Sequence, residues 1–412
     1  MKQFKWLKKT LGPGVLFAST AIGVSHLVQS TRAGANYGFG LLFFIIIANL
    51  FKYPFFEFGS RYANSTEKSI IYGYKTLGTW VLYMYATATL LSMFLITSAV
   101  GAVTSGFFQN LLKTTPLGIT NHIILFSLCG IILSFGKYKL LDSIIKIIGI
   151  TLVISTMVAF ALVLAKGPVS DQLFPNIQYN NVDILFIIAL MGWMPTAVDL
   201  SSWNSLWTIE RIKQTKYKPT LKQTIFEFNI GYILSASLSI CFLTLGAYLM
   251  YATNNIFTNN SSIFANQVIA LYTRTIGDWS YLIISIASFS IMFGTCIAVF
   301  DGYARATGEC INLISNNRID NESYYNIVIW ALVVGSIGII SAFGSRLTEL
   351  VDLATTISFM IAPFVALANY KLVLSPYIKI SDTPPLWLRL LAISGIIFLF
   401  GFGCLFIYSS YF

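Results

Sequence analysis

Apolar stretches of about 20 residues recur along the whole chain, with short polar segments between them. Each stretch is long enough to cross a hydrocarbon core roughly 30 Å thick as an α-helix. We predict spans at residues 11–34, 39–58, 78–108, 120–136, 143–166, 182–208, 225–252, 279–308, 325–343, 349–371 and 387–409. The pattern therefore predicts an all-α integral membrane protein with eleven spans.

The first span is interrupted halfway by glycine and polar residues. The stretch 11–38 reads LGPGVLFASTAIGVSHLVQSTRAGANYG, and Gly23, Val24, Ser25 and His26 stand in its middle. Each unpaired peptide group inside a bilayer costs several kcal/mol, so a break is tolerated only where protein or a water-filled cavity surrounds it. Broken helices near the bilayer midplane are typical of substrate sites in secondary transporters.

A second interruption occurs in the sixth span, which reads ILFIIALMGWMPTAVDLSSWNSLW. Gly192 and Pro195 lie in mid-span, and proline removes a backbone donor and clashes with the preceding turn. Two breaks five spans apart predict a LeuT-type 5+5 inverted repeat with an appended eleventh transmembrane helix. The alternative is that glycine and proline only kink the two helices.

These spans divide the chain into four parts. We predict an N-terminal segment at 1–10, a first repeat at 11–166, a second repeat at 182–371 and a last span at 387–409.

Basic residues are unevenly distributed between the two sets of loops. With the N-terminus in the cytoplasm, seventeen Lys and Arg residues lie on or near the cytoplasmic side and five on the other side. The inner loop 210–223 holds five of them, whereas the outer loop 252–278 holds one. Cytoplasmic loops carry an excess of Lys and Arg. We therefore expect a multi-pass protein of the bacterial inner (plasma) membrane, with its N-terminus in the cytoplasm and its C-terminus outside.

The composition excludes several other classes. The 412 residues are 56% hydrophobic and 10% charged, whereas a soluble domain is about 25% charged. The net charge of +10 comes from loops of the kind just described, so we expect the lipid bilayer as a partner and no nucleic acid. The five cysteines occur singly, without zinc spacing, and no enzyme motif stands out. We expect a monomer that is not an enzyme and needs no cofactor.

The two breaks favour an anionic substrate. The N-terminus of each second half-helix carries unsatisfied N–H groups and about half a positive charge, and nothing acidic occupies either break. A divalent cation would require carboxylates or several soft ligands together, so we expect no metal site. We predict that a small inorganic monovalent anion binds at Gly23, Val24, Ser25, His26, Gly192, Met194, Pro195 and Thr196.

Three ionisable residues are candidates for proton coupling. His26 lies in the first break, Asp199 follows the second break without a basic helical neighbour, and Asp352 begins a polar stripe in the tenth span. Each has a structural alternative. His26 and Asp199 could simply bond a neighbouring helix, and Asp352 could form a solvated pair with Arg346.

The sequences around these two breaks also resemble motifs of a known family. The segment GPGVLFASTAIGVSHLVQSTRAGANYG resembles the first span of the NRAMP divalent-metal transporters, and MGWMPTAVDL resembles their sixth-span MPH motif. Position by position, the family's metal-binding aspartate falls on Gly23 and its asparagine on His26. The metal-binding methionine falls on Met194, and the histidine after the proline falls on Thr196. The metal-binding carboxylate is thus replaced by glycine.

The resemblance implies a divergent branch of the NRAMP fold, whose relatives without the metal signature have been linked to inorganic-carbon uptake. Bicarbonate is planar and singly charged, and it both donates and accepts hydrogen bonds. We therefore expect proton-coupled bicarbonate uptake. The alternatives are a divalent-metal transporter that recruits His26, Met194 and backbone carbonyls, a channel or sensor on the same fold, and an amino-acid transporter.

Overall fold

Helices account for most of the residues that the structure, a computed structural model, describes: 5–113, 118–175, 181–253, 261–316, 321–344 and 346–411. In chain order these are α1 (Lys5–Thr10), α2 (Pro13–Ala21), α3 (Thr31–Tyr37), α4 (Leu42–Thr66), α5 (Ile70–Leu77), α6 (Thr79–Leu112), α7 (Ile119–Lys166), α8 (Asn181–Gly192), α9 (Ser201–Thr215), α10 (Leu221–Met250), α11 (Ser261–Ile276), α12 (Tyr281–Ile314), α13 (Asn321–Phe343), α14 (Leu347–Val373) and α15 (Leu386–Tyr411). A π-helix at Val24–Ser30 and short 3-10 turns complete the list.

The membrane spans agree with the hydropathy pattern. Within the described ranges, nine helical stretches are long and apolar enough to cross a membrane. The first and sixth predicted spans are the two exceptions, and each of them is a pair of shorter helices, α2 with α3 and α8 with α9. The prediction of an all-helical membrane protein is confirmed, and the division into two inverted repeats stays a prediction.

Two predicted loops contain helix instead. The residues 137–142, predicted to separate two spans, have helical backbone as part of α7 (Ile119–Lys166), while the apolar stretches Ile119–Gly136 and Tyr138–Lys166 count as two spans. Their sequence, KYKLLD, contains neither glycine nor proline, so nothing in it ends a helix. The predicted outer loop 252–278 contains α11, whose Phe264, Ala265, Val268 and Ile269 are buried. Their spacing is helical, which span-length hydropathy does not detect.

The helix α10 positions the first span, because both halves of that span approach its backbone closely. A Cβ atom on Gly14 of α2 would lie 2.5 Å from the carbonyl oxygen of Glu227, and one on Gly34 of α3 would lie 2.0 Å from that of Leu243. Small residues permit this kind of approach between membrane helices. The position of the first break is therefore set by α10.

Candidate functional site

The first break lies between α2 and the π-helix. α2 ends at Ala21, and the backbone of Ile22 and Gly23 is not helical before the π-helix begins at Val24. Ser25 and His26 therefore lie in the first turn of the second half-helix. The predicted interruption of the first span is confirmed, and its non-helical residues lie just before the polar pair.

The second break is longer. α8 ends at Gly192, a 3-10 turn at Val198–Leu200 follows residues 193–197, and α9 begins at Ser201. The peptide bond between Met194 and Pro195 is cis. The predicted interruption of the sixth span is confirmed as well.

The side chain of Thr295, on α12, closes one side of the first break. Its hydroxyl donates to the carbonyl oxygen of Ser19 at 2.7 Å, near the end of α2. A Cβ atom on Gly23 would lie 2.6 Å from both Oγ1 and Cγ2 of Thr295. Position 23 therefore has no room for a side chain unless Thr295 moves.

The side chain of Lys52, on α4, lies at the C-terminal end of α8. Its ammonium group donates to the carbonyl oxygens of Met191, Gly192 (2.9 Å) and Thr196 (3.4 Å). Lys52 has no exposed surface. A cation at a helix C-terminus complements the negative end of the helix dipole. The buried amino group of Lys52 thus lies against the second break.

Ser25 and His26 connect the first break to its surroundings. The His26 Nε2 atom lies 2.9 Å from the carbonyl oxygen of Ser235 on α10, and Nδ1 lies 2.7 Å from the Ser25 hydroxyl. The same hydroxyl lies 3.1 Å from the carbonyl oxygen of Pro195 in the second break. His26 is fully buried, and both of its ring nitrogens have partners.

Asp199 lies in the 3-10 turn that follows the second break and is 2% exposed. Its Oδ2 atom accepts from the Ser92 hydroxyl of α6 at 3.5 Å, and Tyr303 of α12 donates to that same serine at 3.2 Å. Among the described atoms, Oδ1 of Asp199 has no hydrogen-bond partner. Lys52 interacts with Asp199 electrostatically. Asp199 is therefore a buried carboxyl group with spare hydrogen-bonding capacity.

A cavity of about 20 Å³ lies between the two breaks. It is lined by Thr20, Val24, Ser25, Ile96, Val100, Trp193, Thr196, Leu200, Thr295 and Val299. The polar side chains of this lining are hydroxyl groups and one indole, and none is a carboxylate. A cavity of this size holds about one water molecule. Of the predicted binding residues, the structure brings Val24, Ser25 and Thr196 together at this cavity, whereas His26 points to α10.

The carboxylate of Asp352 is not part of the lining of this cavity. It contacts the Arg32 guanidinium at 3.2 Å and accepts from the Gln29 amide at 3.1 Å. Asp352 thus joins α14 to the second half of the first span. The alternative pairing with Arg346 is not observed, and Arg346 contacts Glu349 at 3.4 Å instead.

Glu227 of α10 binds the N-terminal end of the first span. Its Oε1 atom accepts from the backbone N–H groups of Gly12 (2.9 Å) and Gly14 (2.8 Å). Nearby, Arg211 of α9 contacts Asp142 of α7 at 3.0 Å. Polar contacts therefore connect neighbouring helices at both ends of the broken spans.

A larger cavity, of about 530 Å³, has Glu210 and Arg305 in its lining. Its lining contains none of the predicted binding or proton-coupling residues. Arg305 contacts Glu210 at 3.4 Å and Asp301 at 2.8 Å, so the charges at this cavity are largely paired.

Sequence reasoning missed Lys52, Thr295 and Glu227. Lys52 left a detectable signal, because it is a single lysine within an apolar span and has no acidic residue three or four positions away. Such a lysine must find its partner on another helix. Thr295 and Glu227 left no comparable signal. Among the described residues, no group of three His, Cys, Asp or Glu side chains could hold a metal ion.

Comparison with known proteins places this architecture in a family. The natural resistance-associated macrophage protein-like (Nramp) family matches residues 14–409. An uncharacterized protein of Pasteurella multocida (strain Pm70) is 34% identical over 402 residues, which cover 96% of this chain and 91% of that protein.

Solved structures share the fold. A mutant of the manganese transporter of Eremococcus coleocola has a TM-score of 0.74 at 13% identity, covering 98% of this chain and 87% of that one. MhsT in complex with L-phenylalanine has a TM-score of 0.60 at 12% identity, covering 97% and 98%. These matches confirm the LeuT-type class of the fold. With the family match over nearly its whole length, the chain belongs to the natural resistance-associated macrophage protein-like (Nramp) family.

Proposed function

We propose that this protein is a secondary active transporter that carries a small monovalent anion, bicarbonate first, together with a proton. Family membership and the two broken helices support transport through the space between the breaks. The observation that carries the choice of an anion is the position of Lys52, whose ammonium group lies on the carbonyl oxygens of the second break.

Carbonyl oxygens at unwound helix ends are the groups that coordinate coupling cations in transporters of this architecture. Here the ammonium of Lys52 occupies three of them. A second cation about 4 Å away would be repelled by about 4 kcal/mol at an effective dielectric constant of 20. A bound anion would be attracted by a similar amount. The same charge that excludes a cation therefore favours an anion.

The first break gives a second argument against a metal ion. Because Thr295 fills the space beside Gly23, a carboxylate cannot be accommodated at that position in this arrangement. The cavity lining instead offers the hydroxyl groups of Thr20, Ser25 and Thr196. The first N–H groups of a helix lack intrahelical partners, so the start of the π-helix supplies donors as well. Bicarbonate can accept from these donors and return a hydrogen bond to a hydroxyl.

The proposed binding set is the one predicted from the sequence without His26, extended by the hydroxyl groups of α2 and α12. It comprises Gly23, Val24, Ser25, Gly192, Met194, Pro195 and Thr196, with Thr20 and Thr295, while the ring of His26 positions Ser25 through its hydrogen bond. At about 20 Å³ the cavity is smaller than bicarbonate, so binding requires the two breaks to separate. From the excess of basic residues in one set of loops, we expect the N-terminus of the transporter in the cytoplasm.

Proton coupling accounts for uptake of an anion against an inside-negative potential, which opposes it by about 2.3 kcal/mol per 100 mV. Of the three predicted candidates, Asp199 suits the role of carrier, because it is buried beside the break and one of its oxygens has no partner. His26 and Asp352 already hold partners on neighbouring helices and position the two halves of the first span.

Uptake of isotopically labelled bicarbonate into proteoliposomes, driven by an inward proton gradient, tests the proposal. We expect accumulation above protein-free liposomes, which report the passive leak of carbon dioxide. Lys52→Met, which removes the charge, should abolish the difference, and Lys52→Arg should retain part of it. Wild-type protein that takes up no bicarbonate under any gradient, or takes up Mn²⁺ in its place, contradicts the proposal.

A further inference from the structure

Two buried charged side chains flank the second break from different helices. Lys52 of α4 is 0% exposed and has three carbonyl acceptors. Asp199, in the turn after the break, is 2% exposed, and its Oδ1 atom has no hydrogen-bond partner among the described atoms. The cation is thus fully bonded to backbone, whereas the carboxylate is not.

We propose that Lys52 and Asp199 form a charge-balance pair that couples proton binding to anion binding. When Asp199 is ionised, its charge compensates that of Lys52 and the site between the breaks is electrically neutral. When Asp199 takes up a proton on Oδ1, the charge of Lys52 is left without compensation, and the transported anion replaces the missing negative charge. This inference rests on the proposed function, since it specifies how that site joins its two substrates.

Thermodynamic reciprocity makes the coupling symmetric. If protonation of Asp199 strengthens anion binding by some factor, bound anion strengthens protonation by the same factor. Couplings between two sites are commonly about 5- to 150-fold. Proton and anion therefore bind cooperatively, and the bound pair carries no net charge.

The other titratable groups around Asp199 do not compensate its charge. Tyr74 of α5, Tyr85 of α6 and Tyr303 of α12 interact with Asp199 electrostatically, and Cys310 of α12 lies beside the first two. Tyrosine and cysteine side chains are mostly uncharged near about pH 7. The 3-10 turn also packs against α14, whose Asp352 is engaged with Arg32. Among the groups described around Asp199, Lys52 supplies the positive charge.

Calorimetric titration of the full-length protein in lipid nanodiscs with bicarbonate tests the inference. Titrations in two buffers of different ionisation enthalpy give the number of protons taken up for each anion bound. We expect wild-type protein to take up as much as one proton per bicarbonate, and its affinity to fall as the pH rises, by at most about tenfold per pH unit. Asp199→Asn should bind bicarbonate with no proton uptake and with an affinity independent of pH.

Three further variants complete the experiment. Asp171→Asn removes an exposed carboxylate from the segment after α7, and it should match the wild type. Lys52→Arg keeps the charge and should keep proton uptake. Lys52→Met should lose most of the affinity at every pH, and if it fails to fold, the comparison of wild type with Asp199→Asn and Lys52→Arg remains decisive.

Each outcome separates the inference from the proposed function. Bicarbonate binding by the wild type without proton uptake overturns the inference alone, as does proton uptake that persists in Asp199→Asn. Unchanged affinity in folded Lys52→Met overturns it too. A wild-type protein that binds no bicarbonate at any pH removes the proposed function, and the inference falls with it.

Discussion

The side chain of Thr295 fills the space into which a side chain at Gly23 would project. A Cβ atom on Gly23 would lie 2.6 Å from two atoms of the Thr295 side chain. The threonine hydroxyl is at the same time bonded to the end of α2, with the carbonyl oxygen of Ser19 at 2.7 Å. The glycine and the threonine therefore form one packed unit at the first break.

This contact predicts the effect of Gly23→Ala. Overpacking a tight site costs about 1–3 kcal/mol, so we expect Gly23→Ala to lower the thermal unfolding temperature of the protein in nanodiscs. Thr295→Ala removes the two nearest atoms, and it should recover much of that loss when combined with Gly23→Ala. Thr295→Ala alone is the matched control, with a cost of about 0.5–1.5 kcal/mol for its hydrogen bond. A double variant no more stable than Gly23→Ala would contradict this arrangement.

Glu227 is expected to stabilise the start of the first span. Removing its carboxylate leaves the N–H groups of Gly12 and Gly14 buried without an acceptor, at a cost of about 1–3 kcal/mol for each unsatisfied group. Glu227→Ala should therefore lower the unfolding temperature strongly. In Glu227→Gln the amide oxygen can accept from the same groups, so its loss should be much smaller. Equal losses in the two variants would show that these hydrogen bonds are not the cause.

The contact between Arg32 and Asp352 is expected to keep the predicted outer end of the first span closed. The pair is partly exposed, with 14% and 40% of the side chains accessible, so it contributes about 1 kcal/mol or less. Its loss should shift the population towards an open form by about fivefold at most. The measurement is the rate at which an impermeant thiol reagent labels Thr196→Cys, with the exposed Cys404 replaced by serine.

Arg32→Ala should raise this labelling rate. The exchanged pair, Arg32→Asp with Asp352→Arg, should return the rate towards that of the parent protein. A labelling rate that does not respond to Arg32→Ala would mean that another contact closes this end.

His26 and Asp199 are expected to differ in their effect on pH dependence. Both nitrogens of His26 have partners, on Ser25 and Ser235, so the ring serves to position the first break. His26→Gln should therefore reduce the maximal transport rate and leave the pH dependence of bicarbonate affinity as in the wild type. Asp199→Asn should remove that dependence. A pH profile that is lost in His26→Gln instead would identify the histidine as the proton carrier.

The parts of this fold that follow from local sequence were predictable. The breaks were recognised from Gly23 in the first span and from Gly192 and Pro195 in the sixth, because glycine and proline disturb a helix at their own position. The membrane spans followed from hydropathy, which is also a property of the local sequence. The helical continuity through 137–142 was missed, because basic residues there resemble a loop although the backbone has no residue that ends a helix.

The contacts that define the candidate site depend on residues distant in the sequence. Lys52 bonds the carbonyl oxygens of residues about 140 positions away, and Thr295 bonds Ser19 across 276 positions. No periodicity within a span encodes which helix will be its neighbour. The sequence alone thus led to a site without Lys52, whereas the folded chain brings the amino group of Lys52 to the second break.

The central claim is that the space between the breaks carries an anion and excludes cations. The most direct measurement compares the two in one preparation: proteoliposomes loaded with a Mn²⁺-sensitive dye receive labelled bicarbonate or Mn²⁺ under the same inward proton gradient. The account predicts bicarbonate uptake that saturates and depends on Lys52, with no Mn²⁺ signal above that of protein-free liposomes. Saturable Mn²⁺ entry without bicarbonate uptake would contradict it.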